Sequence, residues 1–191
     1  MTSDFPTAAQ TKQELRLQAL ERRDALEIDD RLIWDEAIVE RVLALPAFET
    51  AGPVSAYWPM RSEADPRPIL EALHAKGTAL CLPAIVKGAM LFRRWAPWEP
   101  IVPGGFGTLV PAPEQLQVKP TILIVPMAAF DRRGYRIGYG KGYYDKALAE
   151  LGPVTCVGIA YGAQEIAAVP DEPHDQRLDW IVTEAEAIHC G

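Results

Sequence analysis

The sequence predicts an α/β protein: three layers, α/β/α, on a mainly parallel, Rossmann-like open sheet, with a helical N-terminus. Three observations carry that expectation. Short apolar runs rich in β-branched and aromatic residues (PVSAYW, TALCLP, TILIVP and VTCVGIAY) read as buried strands. Stretches of helical character fall between them, and such alternation implies parallel strands with helices covering both faces. A length of 191 residues suits one domain. A domain of that size buries roughly 70% of its unfolded surface and needs no disulfide or metal support.

The elements follow in order. Thr11-Lys12-Gln13-Glu14 fits a capping box, predicting a first helix to about Ile28. Lys12, Arg16 and Arg23 recur at spacings of four and seven, so they share one face, which by itself reads as a solvated basic stripe. A second helix is expected from Asp30 to Leu45, with Ile38, Val42 and Leu45 inward and Pro46 as its stop. PVSAYW is a strand, Pro68 to Lys76 a short helix ended by Gly77, TALCLP a strand and AMLFRRW another. Ile101 to Pro113, rich in Pro and Gly, reads as a long ordered loop. TILIVP is the strongest strand, Gly142 to Leu151 a helix, and VTCVGIAY a strand. A short helix near Glu165 and a last strand near Trp180 to Val182 close the chain.

Charge and cysteine usage narrow the class. A net charge of -7 argues against nonspecific nucleic-acid or anionic-membrane binding. Cys81, Cys156 and Cys190 are odd in number and form no C-x-x-C, which fits reduced thiols in the cytoplasm. MTSDFPTAAQ lacks a basic start and an apolar core, so no signal peptide is visible, and Ile122 to Phe130 is too short to span a bilayer. His74, His174 and His189 have no zinc-ligand spacing, and no G-x-S-x-G elbow marks a serine nucleophile.

The chemistry concentrates in Phe130 to Asp145, FDRRGYRIGYGKGYYD, between a strand and a helix. Gly134, Gly138, Gly140 and Gly142 crowd into it, as expected where the backbone needs positive φ or must approach a ligand. Arg132, Arg133, Arg136, Lys141 and Lys146 stand against only Asp131 and Asp145, a basic island in an acidic chain. With a helix N-terminus beyond it, the segment suits a polyphosphate. It is neither a Walker A loop nor a G-x-G-x-x-G fingerprint. The tail from Glu165 to Gly191 has seven acids and one base. Folded over the loop, it would let Asp145 and Asp175 hold Mg²⁺, which prefers carboxylate and phosphate oxygens.

The loop resembles the signature of the 5-formyltetrahydrofolate cyclo-ligase family, also called methenyltetrahydrofolate synthetases: a Pro, a short apolar stretch, then F-D-x-x-G-x-R-[LI]-G-x-G-x-G-Y-Y-D. Here it stands as Pro126, Phe130-Asp131, Gly134, Arg136-Ile137-Gly138, Gly140 and Gly142-Tyr143-Tyr144-Asp145. Lys12, Leu15 and Arg16, then Tyr57-Trp58-Pro59-Met60 with Glu63, then Val169-Pro170, Asp175, Leu178 and Asp179 extend the resemblance over about the whole chain. It implies a single cyclo-ligase domain, residues 1–191, that uses MgATP to convert 5-formyltetrahydrofolate into 5,10-methenyltetrahydrofolate, releasing ADP and phosphate.

By the same resemblance Lys12 and Arg16 reach ATP, and Arg136, Gly138, Tyr139, Gly140, Lys141, Gly142, Tyr143 and Tyr144 wrap its phosphates. Asp145 and Asp175 hold Mg²⁺. Trp58 and Glu63, with Tyr143 and Tyr144, form the folate site, and Lys141, Arg136 and Glu63 are the catalytic candidates. Tyr139 stands where some members have Arg, and Trp58 where the pattern admits an aliphatic residue. A soluble, cytoplasmic, monomeric enzyme is expected, with no nucleic-acid or membrane partner. A non-catalytic nucleotide- or folate-binding module is the alternative. An RNA-binding domain is disfavoured by the acidic charge and the lack of an RNP-like aromatic run.

Overall fold

The computed structural model describes residues 8–191, so most of the segment on which the expectation about a signal peptide rests lies outside the described residues. The first helix, α1, runs Ala8–Asp24 and α2 runs Ile28–Leu43. The capping box expected at Thr11 does not start α1, because the good helix formers Ala8, Ala9 and Gln10 already carry the helix through that point. α1 also ends before Ile28. Leu26 turns inward against the core, which forces a break between two helices. α2 therefore begins and ends two residues earlier than expected, and Leu45 is buried just beyond it.

The strands follow as β1 (Val54–Ser55), then after α3 (Arg67–Ala75), β2 (Leu80–Val86) and β3 (Ala89–Trp95). β1 is shorter than PVSAYW: Ala56 and Tyr57 stay buried but leave the ladder and carry the chain toward Glu63. The expected loop at 101–113 contains a hairpin, β4 (Ile101–Pro103) and β5 (Leu109–Pro111). Its prolines sit in a two-stranded ribbon, whose open edges tolerate a residue with no N–H. Then come β6 (Ile122–Pro126), β7 (Ala129–Phe130), β8 (Arg136–Ile137), α4 (Tyr143–Leu151) and β9 (Thr155–Ile159). The turn before Glu165 is a single 3₁₀ turn at Gly162–Gln164. β10 (Trp180–Val182) is followed by β11 (Ala187–His189), which the sequence reading omits.

The main sheet has the order β11-β10-β9-β6-β1-β2-β3. Its interior strands pair in parallel, while β3 and β11 add antiparallel edges. Alternation along β6 shows the three layers. Ile122 and Ile124 join a core with Ile38 and Val42 of α2 and Ile69, Leu70 and Leu73 of α3. Leu123 and Val125 face the other way, into a core with Ala147 and Leu148 of α4. The chain leaves β1 toward β2 on one side and returns to β6 on the other. That reversal opens a crevice beyond the carboxyl ends of β1 and β6, the usual ligand position in such sheets.

Candidate active site

Two structural devices bring the glycine-rich segment to this crevice. β7 and β8 pair as a hairpin, and α1 lies over it through Ala19, which packs with Ala129, Ile137 and Val169. Asp131, 1% exposed, then ties the hairpin to the tail. It accepts the amides of Arg133 (2.9 Å) and Val169 (2.8 Å) and pairs with the Arg133 guanidinium (2.7 Å). The motif's first acid is therefore scaffold.

The acidic tail does fold over the basic loop. Leu178 N–H donates to Gly134 O at 2.9 Å, and Arg136 donates to Gln176 O at 2.6 Å and to Asp145 Oδ1 at 2.9 Å. Asp145 also accepts the amide of Gln176, next to Asp175. Arg132 pairs at the surface with Glu165 and Glu186.

The crevice has a volume of about 850 Å³, near the top of the range for small-molecule sites, about 300–1,000 Å³. Every candidate site residue lines it: Lys12, Arg16, Trp58, Glu63, Arg136, Gly138 through Asp145, and Asp175. The basic stripe on α1 is therefore not solvated. Arg16 donates from Nε to Gly138 O at 2.6 Å and lies against Gly140, whose φ of +86° is open to glycine at little strain. Burial lowers the Arg16 pKa. Lys12 meets Asp175 at 2.6 Å and Glu172 at 2.9 Å; burial works against its charge, but these hydrogen bonds prevail and raise its pKa. Gly142, at φ +63°, precedes α4 and makes no side-chain cap, and the positive end of the helix dipole there favours an anion.

The opposite wall is aromatic and apolar. Trp58 stands edge-on to Trp95, ring centroids 5.9 Å apart, with the Arg67 guanidinium 5.4 Å from its ring centre. Pro83, Ile85 and Met90 of β2 and β3, and Thr108 and Leu109 at the β4–β5 hairpin, continue this wall. Between the walls sits Glu63, 8% exposed. Its Oε2 accepts the Met60 amide at 2.8 Å and its Oε1 accepts the Tyr139 hydroxyl. Burial raises its pKa against both bonds. Burial likewise raises the Tyr144 phenol, so it stays neutral and available for hydrogen bonding.

For a divalent cation, Glu172, His174 and Asp175 offer ligand atoms within 4.8 Å of one another. Glu172 is an addition to the residues expected from sequence, and His174 sits at the rim, its side chain 73% exposed.

The sequence profile of the 5-formyltetrahydrofolate cyclo-ligase family matches residues 8–184. The chain belongs to this family. The 5-formyltetrahydrofolate cyclo-ligase of Haemophilus influenzae is 26% identical over 178 residues, covering 88% of this chain and 95% of the relative. The Escherichia coli K12 enzyme of the same name is 28% identical over 172 residues, 85% of this chain and 94% of its own. The NMR structure of Aquifex aeolicus 5,10-methenyltetrahydrofolate synthetase matches with a TM-score of 0.83 at 31% identity, over 94% of this chain and 92% of that one. The cleft of this cyclo-ligase family member thus lies at the switch point of a shared fold.

Three contributors were missed by sequence reasoning: Arg23 beyond its pattern match, Ser62, and the β4–β5 hairpin. Arg23 carried a usable signal, since it shares the α1 face of Lys12 and Arg16. Ser62 and the hairpin carried none, because only tertiary folding brings them to the cleft.

Proposed function

We propose that this cleft binds ATP and 5-formyltetrahydrofolate side by side and that its residues divide the cyclo-ligase reaction between two walls. The chain is a 5-formyltetrahydrofolate cyclo-ligase, closing its substrate to 5,10-methenyltetrahydrofolate as ATP becomes ADP and phosphate. The observation that carries the assignment of roles is the cleft's polarity. Arg16, Lys141 and the α4 N-terminus gather at one wall, aromatic and apolar side chains form the other, and the buried Glu63 lies between.

The formyl oxygen attacks the γ-phosphorus, ADP leaves, and N10 attacks the activated formyl carbon. Phosphate then departs and the N10 proton is lost. Arg16, Lys12 and Lys141, with Gly138, the Tyr139 backbone, Gly140, Gly142 and Tyr143 of the loop, hold the nucleotide. Their work is positioning and charge neutralisation, as in other phosphoryl transfers. Arg136 acts beneath them by fixing Asp145 and the tail. Trp58 and Tyr144 flank the pterin. Glu63 accepts, either from folate nitrogens or from the N10 proton, and both roles need its ionised form.

Mg²⁺ would be held by Asp145 and Asp175, with Glu172 next to Asp175, and would supply charge neutralisation for the phosphates. The carboxylate donors fit such a hard cation. Lys12 pairs with Asp175 and Glu172, and its ammonium would turn to the nucleotide if these acids held the cation. A site assembled from Lys12 through Asp175 supports a single domain acting as a monomer. The buried free cysteines support a cytoplasmic setting. Among the described residues no helix is long and apolar enough to cross a membrane.

The test is direct. Purified protein with 5-formyltetrahydrofolate and MgATP should produce the near-ultraviolet absorbance of the methenyl product together with ADP. Folded protein that gives neither would refute the assignment.

A further inference from the structure

Arg23 is an unusual residue to find where it is. It projects from α1 and is 2% exposed, so its guanidinium is almost wholly withdrawn from solvent. A buried guanidinium must be paired. Its Nε donates to Ser62 Oγ at 3.0 Å, its Nη1 to the Tyr139 hydroxyl at 2.9 Å, and its Nη2 lies 3.4 Å from Asp24 Oδ1. Ser62 in turn donates to Asp24. Tyr139 belongs to the glycine-rich loop, between Gly138 and Gly140, yet its hydroxyl reaches Glu63.

The direction of each bond is set by chemistry. Arginine can only donate, so the Tyr139 oxygen accepts from Arg23 and its single proton goes to Glu63. The other Glu63 oxygen accepts the Met60 amide. With both oxygens accepting, Glu63 is held as a carboxylate although burial favours its neutral form. Arg23 polarises the phenol it donates to, and a polarised donor binds a carboxylate more strongly. The other groups facing Glu63 are the phenols of Tyr57 and Tyr144, neutral and unable to replace that charge.

We infer that Arg23, acting through the Tyr139 hydroxyl, is the positioning residue that keeps Glu63 ionised and aimed at the folate, and that it ties this carboxylate to the loop that holds the nucleotide. The inference rests on the assignment of Glu63 to the folate reaction. It gives Tyr139 a role on the folate side, where the motif alone places it among phosphate contacts.

The experiment is a pH profile of kcat/KM for 5-formyltetrahydrofolate at saturating MgATP, for the wild type, Tyr139→Phe and Arg23→Lys. It is paired with the dissociation constant of 5-formyltetrahydrofolate measured without ATP over the same range. Removing the phenol hydroxyl takes away a bond that favours ionised Glu63. The acid limb of Tyr139→Phe should therefore move up by about one pH unit, and folate binding should weaken in step, about tenfold on that limb. Arg23→Lys, which keeps the charge but replaces the guanidinium fork that reaches Ser62 and Tyr139 from separate nitrogens, should move the limb in the same direction by less. The dissociation constant for ADP should stay within about twofold of wild type in Tyr139→Phe. A folded, active Tyr139→Phe with an unmoved limb overturns the inference, even if its melting temperature falls, because that pattern describes a purely structural bond. A wild type that makes no product overturns the reaction assignment and this inference with it.

Discussion

The two walls of the cleft solve opposite electrostatic problems. On the nucleotide wall the charges are many, partly exposed and provisionally matched: Lys12 sits on Asp175 and Glu172, while Arg16 leans on the carbonyl of Gly138. On the folate wall there is one carboxylate, Glu63, buried and held by fixed donors. The difference teaches how one site serves two ligands. On the proposed reading the phosphates arrive with their own charge, so the cations that meet them can be matched by protein groups until then. The pterin brings little charge, so the group that acts on it must be prepared in advance.

This contrast can be broken from either side. The largest effect should come from Glu63→Gln, which removes the prepared carboxylate. Turnover should fall about a hundredfold or more in the absorbance assay, with the KM for ATP nearly unchanged. Arg16→Ala should act on the other wall, lowering kcat/KM for ATP about thirtyfold, near 2 kcal/mol, while folate binding persists. Lys141→Ala, on the exposed lip of the loop, should raise the KM for ATP about tenfold. Trp58→Leu should weaken folate binding about fivefold, near 1 kcal/mol, through loss of aromatic contact. Arg132→Ala should leave the kinetics and melting temperature unchanged, because its ion pairs with Glu165 and Glu186 lie in solvent. A loss of ATP binding in Glu63→Gln, or of folate binding in Arg16→Ala, would merge the two walls into one.

Glu63 also sets a pH dependence. Burial raises its pKa, so it takes up a proton above the ordinary carboxylate range as pH falls. The ionised form that the proposed mechanism needs is lost on that acid side, so kcat/KM should fall there. The same shift means that Glu63 opposes folding as pH rises through its pKa, a cost the folate site carries for its prepared charge.

Much of this was legible in the sequence because it was local. β6 declares itself by a β-branched run between prolines, and α4 by the step from Gly142 into an amphipathic stretch. The glycine-rich segment stood out as a candidate site by its charge and glycine density. What was hidden depended on distant parts meeting. Nothing local separates Asp131, a buried tie between hairpin and tail, from Asp145, which lines the cleft. The stripe of Lys12, Arg16 and Arg23 looked like a solvated face because its partners, Asp175, Gly138 and Tyr139, lie more than a hundred residues away. Prolines in 101–113 suggested a loop, although a short two-stranded ribbon has open edges that accept them.

The measurement that tests the central claim most directly is calorimetric titration of both ligands into one sample. Protein saturated with a non-hydrolysable ATP analogue and Mg²⁺ should still bind one 5-formyltetrahydrofolate, and the order of addition should not matter. Arg16→Ala should weaken only the nucleotide, and Glu63→Gln only the folate. Mutual exclusion of the two ligands would contradict the account, since it would mean that they compete for one place rather than lie against two walls.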